Sequence, residues 1–144
     1  MDKNLEEILI EVLSGVYSRI IFNEERLIKE MLGDSLSLKE FLTLDTIQAL
    51  KYSGNNTTGN VAKVLGITIS TCTINVDRLI AKGFVNKVRD DGDKRVAYLE
   101  LTDKGKQIKN KRDQLHRRKI IGAIDKLTMS EKVALMNAVN KLDM

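Results

Sequence analysis

The sequence predicts a mainly α-helical protein with one small β-hairpin, an α+β fold, and three observations carry that reading. Apolar residues recur at three- and four-residue steps over long stretches at both ends of the chain, the period of one helix face. Near the middle, two short segments with capping residues meet at Gly66. Residues 84–101 then change to the two-residue alternation of strands, around a charged tip that contains a glycine.

Composition sets the frame. A chain of 144 residues with 42% hydrophobic content is long enough to bury a core and short enough for a single domain, 1–144. It contains no proline and no tryptophan, and Leu, Ile, Lys and Glu abound, as helical proteins require. Cys72 is the single cysteine, which excludes an internal disulfide and a cysteine-based zinc site. No apolar run approaches eighteen residues, and the acidic start (Asp2, Glu6, Glu7, Glu11) is unlike a signal peptide, so a cytoplasmic protein with no membrane partner is expected.

The elements follow in order. Leu5, Ile8, Leu9, Val12, Leu13, Val16, Tyr17, Ile20, Ile21, Leu27, Ile28 and Met31 lie on one helical face, and Gly33 is placed to end the helix. At about 27 residues, roughly 40 Å, it is longer than a small core needs, so part of its apolar face is expected to meet a second subunit. Ser37 and Glu40 have capping-box spacing before Phe41, Leu44, Ile47 and Leu50, and residues 53–56 form a turn. Thr57 or Thr58 caps the next helix, which holds Val61, Ala62 and Leu65 and stops at Gly66. A fresh cap at Thr68 or Ser70 opens another that runs to Gly83, and the pair forms a helix-turn-helix. Strands over residues 84–89 and 95–101 flank the tip at residues 90–94 and make a wing. A basic helix after Thr102 carries Ile108, Leu115, Ile120, Ile121 and Ile124. A second capping box, Thr128 with Glu131, precedes Val133, Leu135, Met136, Val139 and Leu142, and these two helices are expected to close against the first.

Charge localises a candidate site. The net +4 conceals 5 basic and 10 acidic side chains over residues 1–50, for −5, against 16 and 7 over residues 51–119, for +9. A basic centre of this kind suits a polyanion, because phosphates attract clustered Lys and Arg and release counterions; a solvated helical surface is the plainer account. On a wheel through residues 70–83, Cys72, Val76, Leu79 and Gly83 share one side, and Ser70, Ile74, Asp77 and Ala81 lie opposite. Ile74 therefore points outward among Ser70, Thr71 and Thr73, small hydroxyl residues able to approach phosphates, and can meet a thymine methyl. An exposed isoleucine is also common in itself. In the hairpin, Arg89, Lys94 and Arg95 surround the tip, and Asp93 can brace Arg95 through a charge-assisted hydrogen bond. The candidate DNA-contacting residues are thus Thr68, Ser70, Thr71, Thr73, Ile74 and Arg78 on the helix and Arg89, Asp93, Lys94 and Arg95 on the wing.

Catalysis has little to work with. His116 and Cys72 stand 44 residues apart, no glycine-rich phosphate loop follows a strand, and no His-x-x-x-His pair occurs. His116 with Asp113 makes a poor metal site and is better read as a surface or interface residue, and the inward Cys72 as an inert thiol. No enzyme activity, catalytic residue, metal or cofactor is expected.

These residues are recognisable together. Val61-Ala62, Leu65-Gly66-Ile67, Ser70-Thr71, Thr73, Leu79, Lys82-Gly83, Asp90, Asp93-Lys94-Arg95 and Leu101-Thr102-x-x-Gly105 resemble the MarR family of winged helix-turn-helix regulators. The flanking helices agree in number and order, so the resemblance covers the whole chain. Lys94 in place of a more usual arginine, Asn75 at a position often apolar, and Gly59 at the start of its helix are departures.

The resemblance implies a transcriptional regulator that binds double-stranded DNA as a homodimer. Its helices at 1–33 and 103–144 would dimerise, and residues 37–102 would form the winged helix-turn-helix. Helix 70–83 of each subunit would enter the major groove, with Arg95 reaching the minor groove from the wing. It further implies a repressor on a pseudopalindromic operator, answering to a small molecule or another effector. Asn23-Glu24-Glu25, Ser37-Leu38-Lys39-Glu40 and Thr43-Leu44-Asp45-Thr46-Ile47 are similar to the MarR-type repressors of fatty-acid synthesis genes, for which an acyl carrier protein would be the corepressor. The competing reading is a helical protein-interaction module without specific DNA binding.

Overall fold

The computed structural model describes residues 4–33 and 35–142. In chain order it contains α1 (Leu5–Leu32), α2 (Leu38–Lys51), α3 (Thr58–Leu65), α4 (Ile69–Ala81), β1 (Val85–Arg89), β2 (Ala97–Leu101), α5 (Asp103–Ile124) and α6 (Met129–Val139). This is the mainly helical winged arrangement expected from the sequence. No single helix among the described residues is long and apolar enough to cross a membrane.

Local signals set the helix ends. Asn4 and Glu7 form a complete capping box at the start of α1, and Thr128 and Glu131 form another at α6. Ser37 caps α2 through the Glu40 amide, but the box stays half-made because the Glu40 carboxylate turns inward to Lys82 instead, at 2.6 Å. Thr57, not Thr58, caps α3, and Gly66 closes it at φ +65°, a left-handed conformation that a residue with a Cβ adopts only at a cost. Thr68, not Ser70, caps α4, so that helix starts at Ile69 and ends before Gly83.

The chain forms two compact units, residues 1–109 and 110–144. The core of the first unit is built by α2, α3, α4 and the hairpin: Phe41, Leu44, Ile47, Val61, Cys72, Val76, Leu79 and Leu99 are fully buried, and Ile28 of α1 joins them. Antiparallel β1 and β2 pair Val85 with Leu101, Lys87 with Leu99 and Arg89 with Ala97. The ordered strands are shorter than the expected 84–89 and 95–101, because the Phe84 amide donates to Leu79 O of α4 and Arg95 belongs to the turn. The second unit holds the last part of α5 and α6, and no residue of α6 is buried.

The start of α5 explains the Leu101-Thr102-x-x-Gly105 pattern. The Thr102 amide donates to Phe84 O, and its hydroxyl donates to Gly83 O while accepting from the Gly105 amide. A Cβ on Gly105 would stand 2.3 Å from Phe84 O, so that position admits no side chain. Lys104 completes the joint, donating to Lys82 O at 2.9 Å with its ammonium 4.5 Å from the Phe84 ring centre.

Candidate nucleic-acid interface

The interface is built around α4, whose composition divides its two faces. Cys72, Val76 and Leu79 face the core, and Ser70, Ile74, Asp77 and Ala81 are exposed, as the wheel requires. Gly83, expected on the inner side, instead lies beyond the helix, exposed, at φ +80°. Burial of Cys72 pushes its thiol above the ordinary value, which disfavours the reactive thiolate.

The hydroxyls have distinct duties. Thr68 Oγ1 accepts from the Thr71 amide at 3.1 Å and donates to Thr71 Oγ1 at 2.9 Å, so the Thr71 proton remains available to an outside acceptor. Thr73 Oγ1 donates back to Ile69 O at 2.9 Å, which engages its proton within the helix. Ser70 is exposed, and Ile74 is 53% exposed in mid-helix. Arg78 is exposed one turn further on. Ile69, 62% exposed at the first position of α4, extends the apolar part of this face and lies just outside the wheel through residues 70–83.

On the wing, the tip is ordered by its own aspartates. Asp90 Oδ2 accepts from the Gly92 and Asp93 amides. Asp93 then grips Arg95 with both oxygens, Nε to Oδ1 at 3.0 Å and the second guanidinium nitrogen to Oδ2 at 3.1 Å. The pair holds the Asp93 carboxyl below its ordinary value and raises the guanidinium, although the Arg95 side chain is 91% exposed. One guanidinium is thereby aimed outward without being covered. Arg89 gives one donor to Lys94 O at 3.1 Å, bracing the tip from inside, and Lys94 is exposed.

Two ion pairs outside the expected set shape this face. Glu40 and Lys82 tie α2 to the end of α4, and Asp77 of α4 stands 3.7 Å from Lys87 of β1. Asn75 is buried, at 8% exposure, and borders a 260 Å³ hollow with Lys39, Leu42 and Thr71. His116, the residue considered for metal, is half-buried on α5 within the second unit beside Asp113 and Ile120.

Comparison with known proteins gives this geometry a family. Residues 26–112 match the family described as transcriptional regulator SarA/Rot. The uncharacterised HTH-type transcriptional regulator YpoP of Bacillus subtilis (strain 168) is 25% identical over 116 residues, 81% of this chain and 80% of its own length. Among solved structures, Streptococcus pneumoniae FabT in complex with DNA superposes with a TM-score of 0.81 at 25% identity, covering 94% of this chain and 92% of that one. A MarR family protein from Bacillus stearothermophilus gives 0.72 at 24% identity, covering 97% and 95%. A mutant MarR from E. coli complexed with operator DNA gives 0.61 at 25%, covering 96% and 98%. The fold is therefore the MarR-type winged helix, and with more than half its length matched to one family, the chain belongs to the SarA/Rot family of transcriptional regulators.

Proposed function

We propose that the protein is a homodimeric, sequence-specific DNA-binding repressor. The observation that carries this reading is the pairing of an exposed α4 face, polar at Ser70 and Thr71 and apolar at Ile74, with a wing whose Arg95 is braced yet uncovered. The helix would lie in the major groove, with Thr68, Ser70, Thr71 and Arg78 near phosphates and Ile74 against a thymine methyl. Thr73 would contribute its methyl, its hydroxyl being engaged. Arg95 would enter the minor groove, with Arg89 and Lys94 adding positive charge beside it. The DNA complexes of FabT and of the mutant MarR, which share this fold, support the assignment.

Dimerisation is supported by apolar surface. In the single chain Leu9, Val12, Leu13, Val16 and Ile20 of α1 are all exposed, as are Val133, Leu135, Met136 and Val139 of α6. Contiguous apolar faces of this extent mark association surfaces. A twofold dimer would carry two copies of α4 to half-sites one DNA turn apart, about 34 Å, and so select a pseudopalindrome. An effector that changes this spacing needs a differential affinity of about 1–3 kcal/mol for a fivefold to 150-fold response.

The likeness to FabT favours a second, narrower reading, in which the regulated genes are those of fatty-acid synthesis and an acyl carrier protein is corepressor. Both readings are tested by fluorescence anisotropy with duplexes from the protein's own promoter region and scrambled controls, at several salt concentrations, with and without acylated carrier protein. Tight binding of one dimer to a preferred sequence is the expected outcome, and tightening by the carrier supports the narrower reading. Weak, salt-sensitive binding with no sequence preference overturns the proposal in favour of a protein-interaction module.

A further inference from the structure

We infer that Asn56 is a positioning residue for the wing, fixing the angle at which Arg95 meets DNA; this rests on the DNA-binding reading above. The register of the hairpin decides which backbone groups of β2 need partners outside it. The Asp90 amide donates to Val96 O and the Thr102 amide to Phe84 O, so the hydrogen-bonded positions of the ladder are 84, 86, 88 and 90 facing 102, 100, 98 and 96. Leu99 falls between those pairs. Its N–H and C=O therefore point away from β1, towards the outer edge of β2.

That edge is not solvated, because Leu99 is fully buried. An unpaired buried carbonyl or amide carries the full loss of its hydration, so both groups need partners from elsewhere in the fold. Asn56 supplies both. The Leu99 amide donates to Asn56 O at 2.7 Å, and Asn56 Nδ2 donates to Leu99 O at 2.7 Å, with Asn56 only 4% exposed. In an ordinary antiparallel pair the second bond would come from a backbone N–H. Here the side-chain amide replaces it, so one residue acts as a third strand.

The side chain required is narrowly defined: a donor two bonds beyond Cβ, beside its own carbonyl. Aspartate has the shape without the donor, and its charge would face Leu99 O. Asn56 sits in the turn between α2 and α3, immediately before the α3 cap Thr57, so the clamp joins the helix-turn-helix to the middle of β2. Lys51 at the end of α2 reinforces it, 3.7 Å from Glu100. With the joint at Gly83 holding the other strand, both wing strands are fixed to the body that carries α4, and the direction of Arg95 follows.

The experiment is a double-mutant cycle on a duplex selected from a random-sequence library by the wild-type protein. Arg95→Ala and Asn56→Asp are each expected to weaken binding about tenfold, and the double variant about tenfold in all rather than a hundredfold, since a misdirected wing has already lost the arginine contact. Asn56→Asp with Ile74→Ala should instead be multiplicative, because α4 is not reached by the clamp. That difference separates wing positioning from general loosening of the fold, which would not spare one partner. Additive losses with Arg95→Ala, or unchanged affinity in Asn56→Asp, overturn the inference. Should the aspartate variant not fold, Asn56→Ala removes the donor without adding charge and reads the same cycle. If the wild-type protein enriches no sequence, the DNA-binding reading has failed; the clamp is then read by amide exchange at Leu99, where exchange no faster in Asn56→Ala than in wild type overturns it.

Discussion

The winged centre and the terminal helices solve opposite problems with the same amino acids. In the centre, Phe41, Leu44, Ile47, Val61, Val76, Leu79 and Leu99 are enclosed within one chain. Along α1, Leu9, Leu13 and Ile20 keep the same helical spacing but remain exposed, and α6 buries nothing at all. Amphipathic periodicity therefore tells where apolar surface lies on a helix and not whose surface covers it. The centre covers its own apolar surface, and in the proposed dimer a second copy would cover that of the ends.

Core truncation should break this comparison most strongly. Phe41→Ala is expected to cost about 3–5 kcal/mol, with a urea midpoint shift that does not depend on protein concentration. Gly105→Ala comes next, at about 2–3 kcal/mol in thermal melts, because its new methyl meets the Phe84 carbonyl with no flexible side chain to yield. Leu13→Glu on the exposed face of α1 should barely alter the near-ultraviolet signature of the centre, yet raise the dimer dissociation constant tenfold or more in sedimentation, about 1.4 kcal/mol.

The smallest effect belongs to pH at the wing. The Asp93 carboxyl is held below its ordinary value by the Arg95 guanidinium and amide. Its contribution is therefore fully present above the ordinary aspartate value and is lost as pH falls through the lower folded one. Carbon-detected titration of the side chain should show an Asp93 midpoint below that of free aspartate, and Arg95→Ala should move it up while leaving the melting temperature unchanged.

How much of this was legible follows from distance along the chain. The caps at Thr57, Thr68 and Thr128, the glycine stops at Gly33 and Gly66, and the Asp93–Arg95 pair all act within three or four residues, so each is legible locally, Thr57 and Thr68 as one of two candidates. Thr68 and Ser70 are two hydroxyl residues competing for one cap, and only Thr68 also has Thr71 placed to receive its proton. The Asn4 cap lies one residue before the first apolar position of α1, outside the periodic pattern that marks the helix. Glu40 with Lys82 and Asn56 with Leu99 are separated by 42 and 43 residues, and no local period encodes such meetings. Asn56 lies in a turn where Asn is expected for its backbone preferences, so its second role was concealed by its first.

The joint at the head of α5 also sets a clock. Thr102 and Gly105 hold their amide protons in a seam closed by the Phe84 carbonyl and the Thr102 hydroxyl, with no room for water at Gly105. Those two protons should exchange with solvent only when the winged centre opens as a whole, whereas in the proposed dimer those of α6 would exchange each time two copies part. Diluting the protein would then speed deuterium uptake along α6 and leave Thr102 and Gly105 unmoved, so that one sample reports, residue by residue, on two lifetimes.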